Sequence, residues 1–166
     1  MGKLLMQLSL RTNVPRRLTA TDVCTVTGYS RDELHAILKV LWPYNEEKGL
    51  PRVAREFTAR DLVVLSVTQT LERRFGLKRT ALGNIGQHLR NALSGPKEVS
   101  KKARLAISID PPSVEYISTS ITERDGVVVA LGPIFEKVDG YLTFDVQGVL
   151  PLGADIVSAR AKTGPG

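Results

Sequence analysis

The sequence predicts an α+β fold, with a helical N-terminal part followed by a small antiparallel β part. Three observations lead to it. Apolar residues recur at helical spacing over residues 19–93, the pattern breaks at Ser94-Gly95-Pro96, and from Leu105 onward apolar and polar residues alternate. Charge divides at nearly the same place. Residues 1–104 hold 19 Lys and Arg against 9 Asp and Glu, a net +10, whereas residues 105–166 hold 4 against 8, a net −4. A basic excess confined to one part points to a polyanion-binding N-terminal module joined to a C-terminal module with another task.

The 166 residues are enough for one domain or two small ones. The expected division is an N-terminal arm at 1–17, a helical module at 18–94, a linker at 95–104, a β module at 105–157 and a disordered tail at 158–166. No apolar run reaches the roughly 18 residues of a membrane span, and MGKLLMQLSLRTNVPRR lacks the cleavage pattern of a signal peptide. The single cysteine, Cys24, has no internal partner, which fits a reducing, cytoplasmic location, associated with the nucleoid if the partner is DNA. No Cys/His cluster has zinc spacing, and neither metal nor cofactor is expected.

In chain order, Thr19-x-x-Asp22 resembles a capping box and opens a short helix that Gly28 ends. Ser30-x-x-Glu33 opens a second, in which Leu34, Ile37, Leu38 and Leu41 share one face, and Pro43 stops it. Residues 43–57, punctuated by Gly49 and Pro51, read as a loop or β-hairpin. Thr58-x-x-Asp61 starts a third helix with Val64, Val67, Leu71 and Phe75 inward, and Gly76 ends it. A fourth carries Leu82, Ile85, Leu89 and Leu93, weakened at Gly83 and Gly86 by about 1 kcal/mol each relative to Ala. Strands are expected at Leu105–Ile109 and Val114–Ile121. Asp125-Gly126 and Asp139-Gly140 are expected as hairpin turns among VVVAL, IFEKV and YLTFDV.

Two short helices meeting at a glycine, the second with a polar free face, have the composition of a helix-turn-helix. Arg31, His35 and Lys39 form an i, i+4, i+8 row beside the apolar stripe. Arg31 is in the first turn, where a recognition helix meets base edges. A bidentate Arg–guanine contact discriminates by about 1–3 kcal/mol. Lys39 is placed for a phosphate. Asp32 either accepts from cytosine or favours the helix N-terminus, and His35 either reads a base or is solvated. Tyr29 either meets a sugar–phosphate edge or packs as a lid over the turn.

The segment Arg55-Glu56-Phe57-Thr58-Ala59-Arg60-Asp61-Leu62 resembles the end of the wing and the capped helix that follows it in MerR-type transcription regulators. Thr21–Ser30 resembles that family's first helix and turn, and Arg74-Phe75-Gly76-Leu77-Lys78 its junction between third and fourth helices. The resemblance covers about residues 18–93. It implies a winged helix-turn-helix, with Arg31, His35 and Lys39 in the recognition helix and Arg52 and Arg55 in the wing. The family's Arg-Tyr-Tyr-like stretch, long dimerising helix and metal-binding cysteines are missing, so base contacts, dimer interface and inducer do not carry over. The expected DNA-binding residues are Arg16, Arg17, Tyr29, Ser30, Arg31, His35, Lys39, Lys48, Arg52, Arg55, Lys78 and Arg79.

The β part has no histidine, no cysteine, no Gly-x-Ser-x-Gly and no phosphate loop, and no enzymatic activity is expected of it. It is expected to dimerise the chain, bind a protein partner or sense a small ligand. The expected function is a dimeric, sequence-specific regulator on double-stranded DNA. The alternatives are an excisionase-like architectural factor and a protein-interaction module that never meets DNA.

Overall fold

The computed structural model describes residues 4–5, 17–49, 51–95, 97–118 and 125–149; the expected tail at 158–166 and Arg16 lie outside them. In chain order the elements are β1 (Leu4–Leu5), α1 (Ala20–Thr27), α2 (Arg31–Leu38), α3 (Ala59–Phe75), α4 (Arg79–Ala92), β2 (Glu98–Val99), β3 (Arg104–Ile109), β4 (Pro112–Ile117), β5 (Val127–Ala130) and α5 (Gly132–Val149). β1 pairs with β2. The main sheet is antiparallel with order β4-β3-β5, and Leu105 stands between Tyr116 and Val129. The protein is thus mixed α+β.

Three helices start where a hydroxyl residue is followed three positions later by an acid. The carboxylates of Asp22, Glu33 and Asp61 accept the backbone N–H groups of Thr19, Ser30 and Thr58, each at 2.7 Å. The apolar faces close as the spacing predicts. Leu34, Ile37 and Leu41 are buried, as are Leu82, Ile85, Leu89 and Leu93. α3 is buried on nearly every side from Leu62 to Thr68, because α1, α4, α5 and β5 all pack on it. Phe75, expected inward, is 44% exposed at the end of α3. The sheet lies with β4 across α4 and β5 against α3, so Leu105, Ile107 and Val129 join the same core as the helices.

Gly83 and Gly86 have a packing reason. A Cβ at Gly83 would stand 3.0 Å from the Val40 carbonyl oxygen. One at Gly86 would stand 2.9 Å from Leu41 Cδ1 and 3.2 Å from the Trp42 nitrogen. α4 therefore presses directly on the chain leaving α2.

Two expectations need correction. The Asp139-Gly140 hairpin does not form, because both residues lie inside α5. Leu131, Phe135 and Val138 are buried and Tyr141 and Leu142 half-buried, a helical stripe. The alternation at Leu142, Phe144 and Val146 fits a strand equally well, and short apolar runs do not separate the two periods. Nor does Asp125-Gly126 join neighbouring strands: β5 pairs with β3, and the tight turn between neighbours is at Asp110-Pro111. Gly126 has φ 147°, and a Cβ there would overlap the Ile107 carbonyl oxygen, so glycine lets the chain close on β3.

The hairpin reading of residues 43–57 also differs from what is observed. Among the described residues of this stretch there is no strand ladder, only turns and an isolated bridge from Phe57 to Leu18. Arg55 explains it. Its Nη2 donates to the carbonyls of Tyr44 at 3.3 Å and Glu47 at 3.2 Å, folding the loop around a guanidinium.

Candidate nucleic-acid interface

α1 and α2 meet at a locked turn. Gly28 takes φ 79° and its N–H donates to the Cys24 carbonyl at 2.9 Å. The Thr27 hydroxyl donates to the Val23 carbonyl at 2.7 Å and accepts from the Tyr29 N–H at 3.2 Å. Arg73, near the end of α3, donates to the Gly28 carbonyl at 3.1 Å and pairs with Glu33 at 3.1 Å. It also stacks over the Tyr29 ring at 5.9 Å. The Ser30 backbone N–H, and then Arg73, hold the Glu33 carboxyl below its ordinary range.

A second lock fixes the far end. Tyr44 and Arg90 both donate to Asp61 Oδ1, Arg90 at 2.6 Å, while Asp61 Oδ2 takes the Thr58 N–H at 2.7 Å and its hydroxyl at 2.9 Å. Burial pushes the Asp61 carboxyl up, but the bonds from Arg90, Tyr44 and Thr58 outweigh it, and the net is a lowered pKa. Burial, reinforced by the Asp61 charge, pushes the Tyr44 phenol up. Asp22 repeats the device: one oxygen serves the Thr19 cap and the other accepts the Tyr141 hydroxyl at 2.6 Å, tying α5 to α1.

Between the locks, α2 presents its outer row. Arg31, Asp32, His35 and Lys39 are all exposed, and the protein's own described chain covers none of them. Arg31 Nη2 donates to Thr21 Oγ1 at 2.7 Å, which steadies the guanidinium and leaves its other N–H groups free to donate elsewhere. Ser30 is exposed at the cap. From Arg31 to Tyr44 the chain runs from the end of α3, past Gly83 and Gly86, to Asp61 and Arg90. Lys78 and Arg79, exposed at the start of α4, therefore stand at the Arg31 end. Lys48 and Arg52, exposed on the loop, stand at the Tyr44 end.

Other expected contacts are partly committed. Tyr29 is a correction: it is 3% exposed, so it packs as a lid and is not available to a sugar–phosphate edge. Burial first, and the Glu72 charge next, push its phenol pKa up. Arg55 is engaged within its own loop. It is bonded to the loop it folds and paired with Glu47 at 3.3 Å, so it braces the loop that carries Arg52. Arg17 pairs with Glu56 at 2.9 Å and Arg79 with Glu72 at 3.6 Å, both at the surface. Arg16 lies outside the described residues.

Sequence reasoning missed Arg73 and Arg90, whose partners lie 40 and 29 positions away. The available signal was a basic residue near the end of a helix facing a capping-box acid. Among the described residues no group of three or more His, Cys, Asp or Glu is arranged to hold a metal, and no helix is long and apolar enough to cross a membrane.

No known relative emerges. No family model matches the chain, and the searches of curated proteins and solved structures give no match.

Proposed function

We propose that this chain is a sequence-specific, double-stranded-DNA-binding transcription regulator, with α2 in the major groove and the 43–57 loop in the place of a wing. One observation carries the reading: the Arg31–His35–Lys39 row is uncovered, on a short helix whose first turn is tied to α3 through Arg73 and beyond whose last turn Tyr44 is bonded to Asp61. The basic residues placed beyond each end add the charge that phosphate backbones attract. On this reading Arg31 addresses base edges, Lys39 a phosphate, and Lys48, Arg52 and Lys78 the flanking backbone. A homodimer would present two such helices to half-sites about one helical turn apart, and the working location is the cytoplasm, at the nucleoid.

Selection of duplexes from a random pool with purified protein tests this, followed by gel shifts on the winners. Arg31→Ala should flatten the preference among sequences, and Lys39→Ala should lower affinity uniformly. With six to ten phosphates neutralised, binding should weaken about 10³- to 10⁵-fold between 50 and 200 mM salt. If both variants bind the selected duplex as the wild type does, α2 is not the reading head.

A further inference from the structure

A concave site lies between the end of α1, the outer turns of α3, β5 and the start of α5, and none of its lining residues belongs to α2. Its volume is about 300 Å³, at the lower end of small-ligand pockets. At about 30 Å³ per water, that is room for roughly ten non-hydrogen atoms.

Its walls have a definite chemistry. Three large apolar side chains are exposed among the described residues, and two of them, Phe75 and Val128, line this site. Val26 and Ile134 extend the apolar wall. The charged groups of the lining are two cations, Arg74 and Lys137, and no acid lines the site. Neither cation has an ion pair with a described carboxylate. Ser66 also lines the site. It is 94% buried, from a 6% exposure, and its hydroxyl oxygen is enclosed without a hydrogen-bond partner. That oxygen is closed even to a water-sized probe, so Ser66 shapes the wall and offers a ligand no contact. The first turn of α5, with Pro133 and Ile134 in the wall, carries no acid, so its positive end adds to the field of the two cations.

We propose that this pocket binds a small organic carboxylate with an apolar body. The carboxylate pairs with Arg74 and Lys137, and the body lies against Phe75, Val128 and Ile134. The site stands independently of the α2 face, and its test involves no nucleic acid.

Three probes separate the contributions: phenylacetate, acetate, and the neutral phenylacetamide. Titration followed by NMR or calorimetry should give phenylacetate the tightest binding, with a Kd between about 10 µM and 10 mM for a ligand of this size. Arg74→Gln and Lys137→Gln, both at the surface, should each weaken the two acids by about twofold to fivefold and leave the amide unchanged. Phenylacetate should bind at least about tenfold more tightly than acetate, which has no body to lie against the apolar wall. Val128→Trp, which fills the mouth, should abolish binding of all three. Equal binding of acid and amide would overturn the anion assignment. Absence of binding by every probe would overturn the pocket, as would a dimer held together through this face and broken by Val128→Asp.

Discussion

Asp61→Ala tests the second lock most directly. Asp61 takes a 2.6 Å bond from Arg90, a bond from Tyr44, and the Thr58 N–H and hydroxyl at the start of α3. Truncation removes the carboxylate half of a capping box, about 1 kcal/mol, and strands a guanidinium, where a bond to a charged group is worth about 1.5–3 kcal/mol. The Arg90 side chain is 23% exposed and recovers some hydration. The expected cost is therefore about 3–4 kcal/mol, below the upper end for a broken buried pair and a large share of the roughly 5–15 kcal/mol that folds a domain. Urea unfolding of wild type, Asp61→Ala, Arg90→Met and the double variant gives the coupling. The double variant should be more stable than the sum of the singles predicts by at least about 1.5 kcal/mol, because it strands no charge. Acid gives an independent check. Asp61 titrates lower folded than unfolded, so its contribution is complete above the unfolded value of about 4 and fades as pH falls through the lower folded value. The gap between wild type and Asp61→Asn should narrow in that window. Additive single costs, or a gap constant through it, would refute the account.

Gly28→Ala forces a Cβ into φ 79° and should lower stability by about 1–2 kcal/mol, read as a lower urea midpoint with unchanged slope. Gly83→Ala and Gly86→Ala should each destabilise by about 0.5–2 kcal/mol, since contacts at 3.0 and 2.9 Å outweigh the helix-propensity gain of about 1 kcal/mol; a raised Tm would show that α4 is not pressed against Val40–Trp42. Tyr141→Phe removes the donor to Asp22 Oδ1 and should cost about 1–2 kcal/mol, with amide exchange in α5 quickening before that in α3.

The sequence makes the locally determined parts legible. Thr19, Ser30 and Thr58 each pair with an acid three residues on, and Gly28 and Gly76 end helices because the left-handed position costs glycine little. What is decided at long range is not legible. Phe75 has the right phase to face inward, but it borders the cleft between α1, β5 and α5, which leaves the ring half out. Residues 132–149 fit both periods locally, and the buried face of α3 selects the helix by packing Leu131, Phe135 and Val138 against itself. Arg55 and Tyr29 show the same limit on the site. A basic loop residue and a turn tyrosine have the composition of nucleic-acid contacts, and only the fold reveals that one braces a loop and the other closes a core.

The basic excess of the first 104 residues therefore divides into two populations. Arg17, Arg55, Arg73, Arg79 and Arg90 each face an acid, and Arg55, Arg73 and Arg90 also tie loops and helix ends together. Their charge is largely cancelled at short range. The exposed cations along α2 and on the segments beyond its ends include Arg31, Lys39, Lys48, Arg52 and Lys78, and none of these has an ion pair with a described carboxylate. A polyanion approaching the protein meets this second population, with the first holding it in place. Two acids lie near the proposed reading row, the exposed Asp32 and the half-buried Glu33, and the partition bears on Glu33. Its carboxylate is occupied by the Ser30 N–H and Arg73, so it offsets little of the field that Arg31 and Lys39 present. A charge count alone reads both populations as one patch; the hydrogen bonds separate the cations that build the surface from those left to act on it.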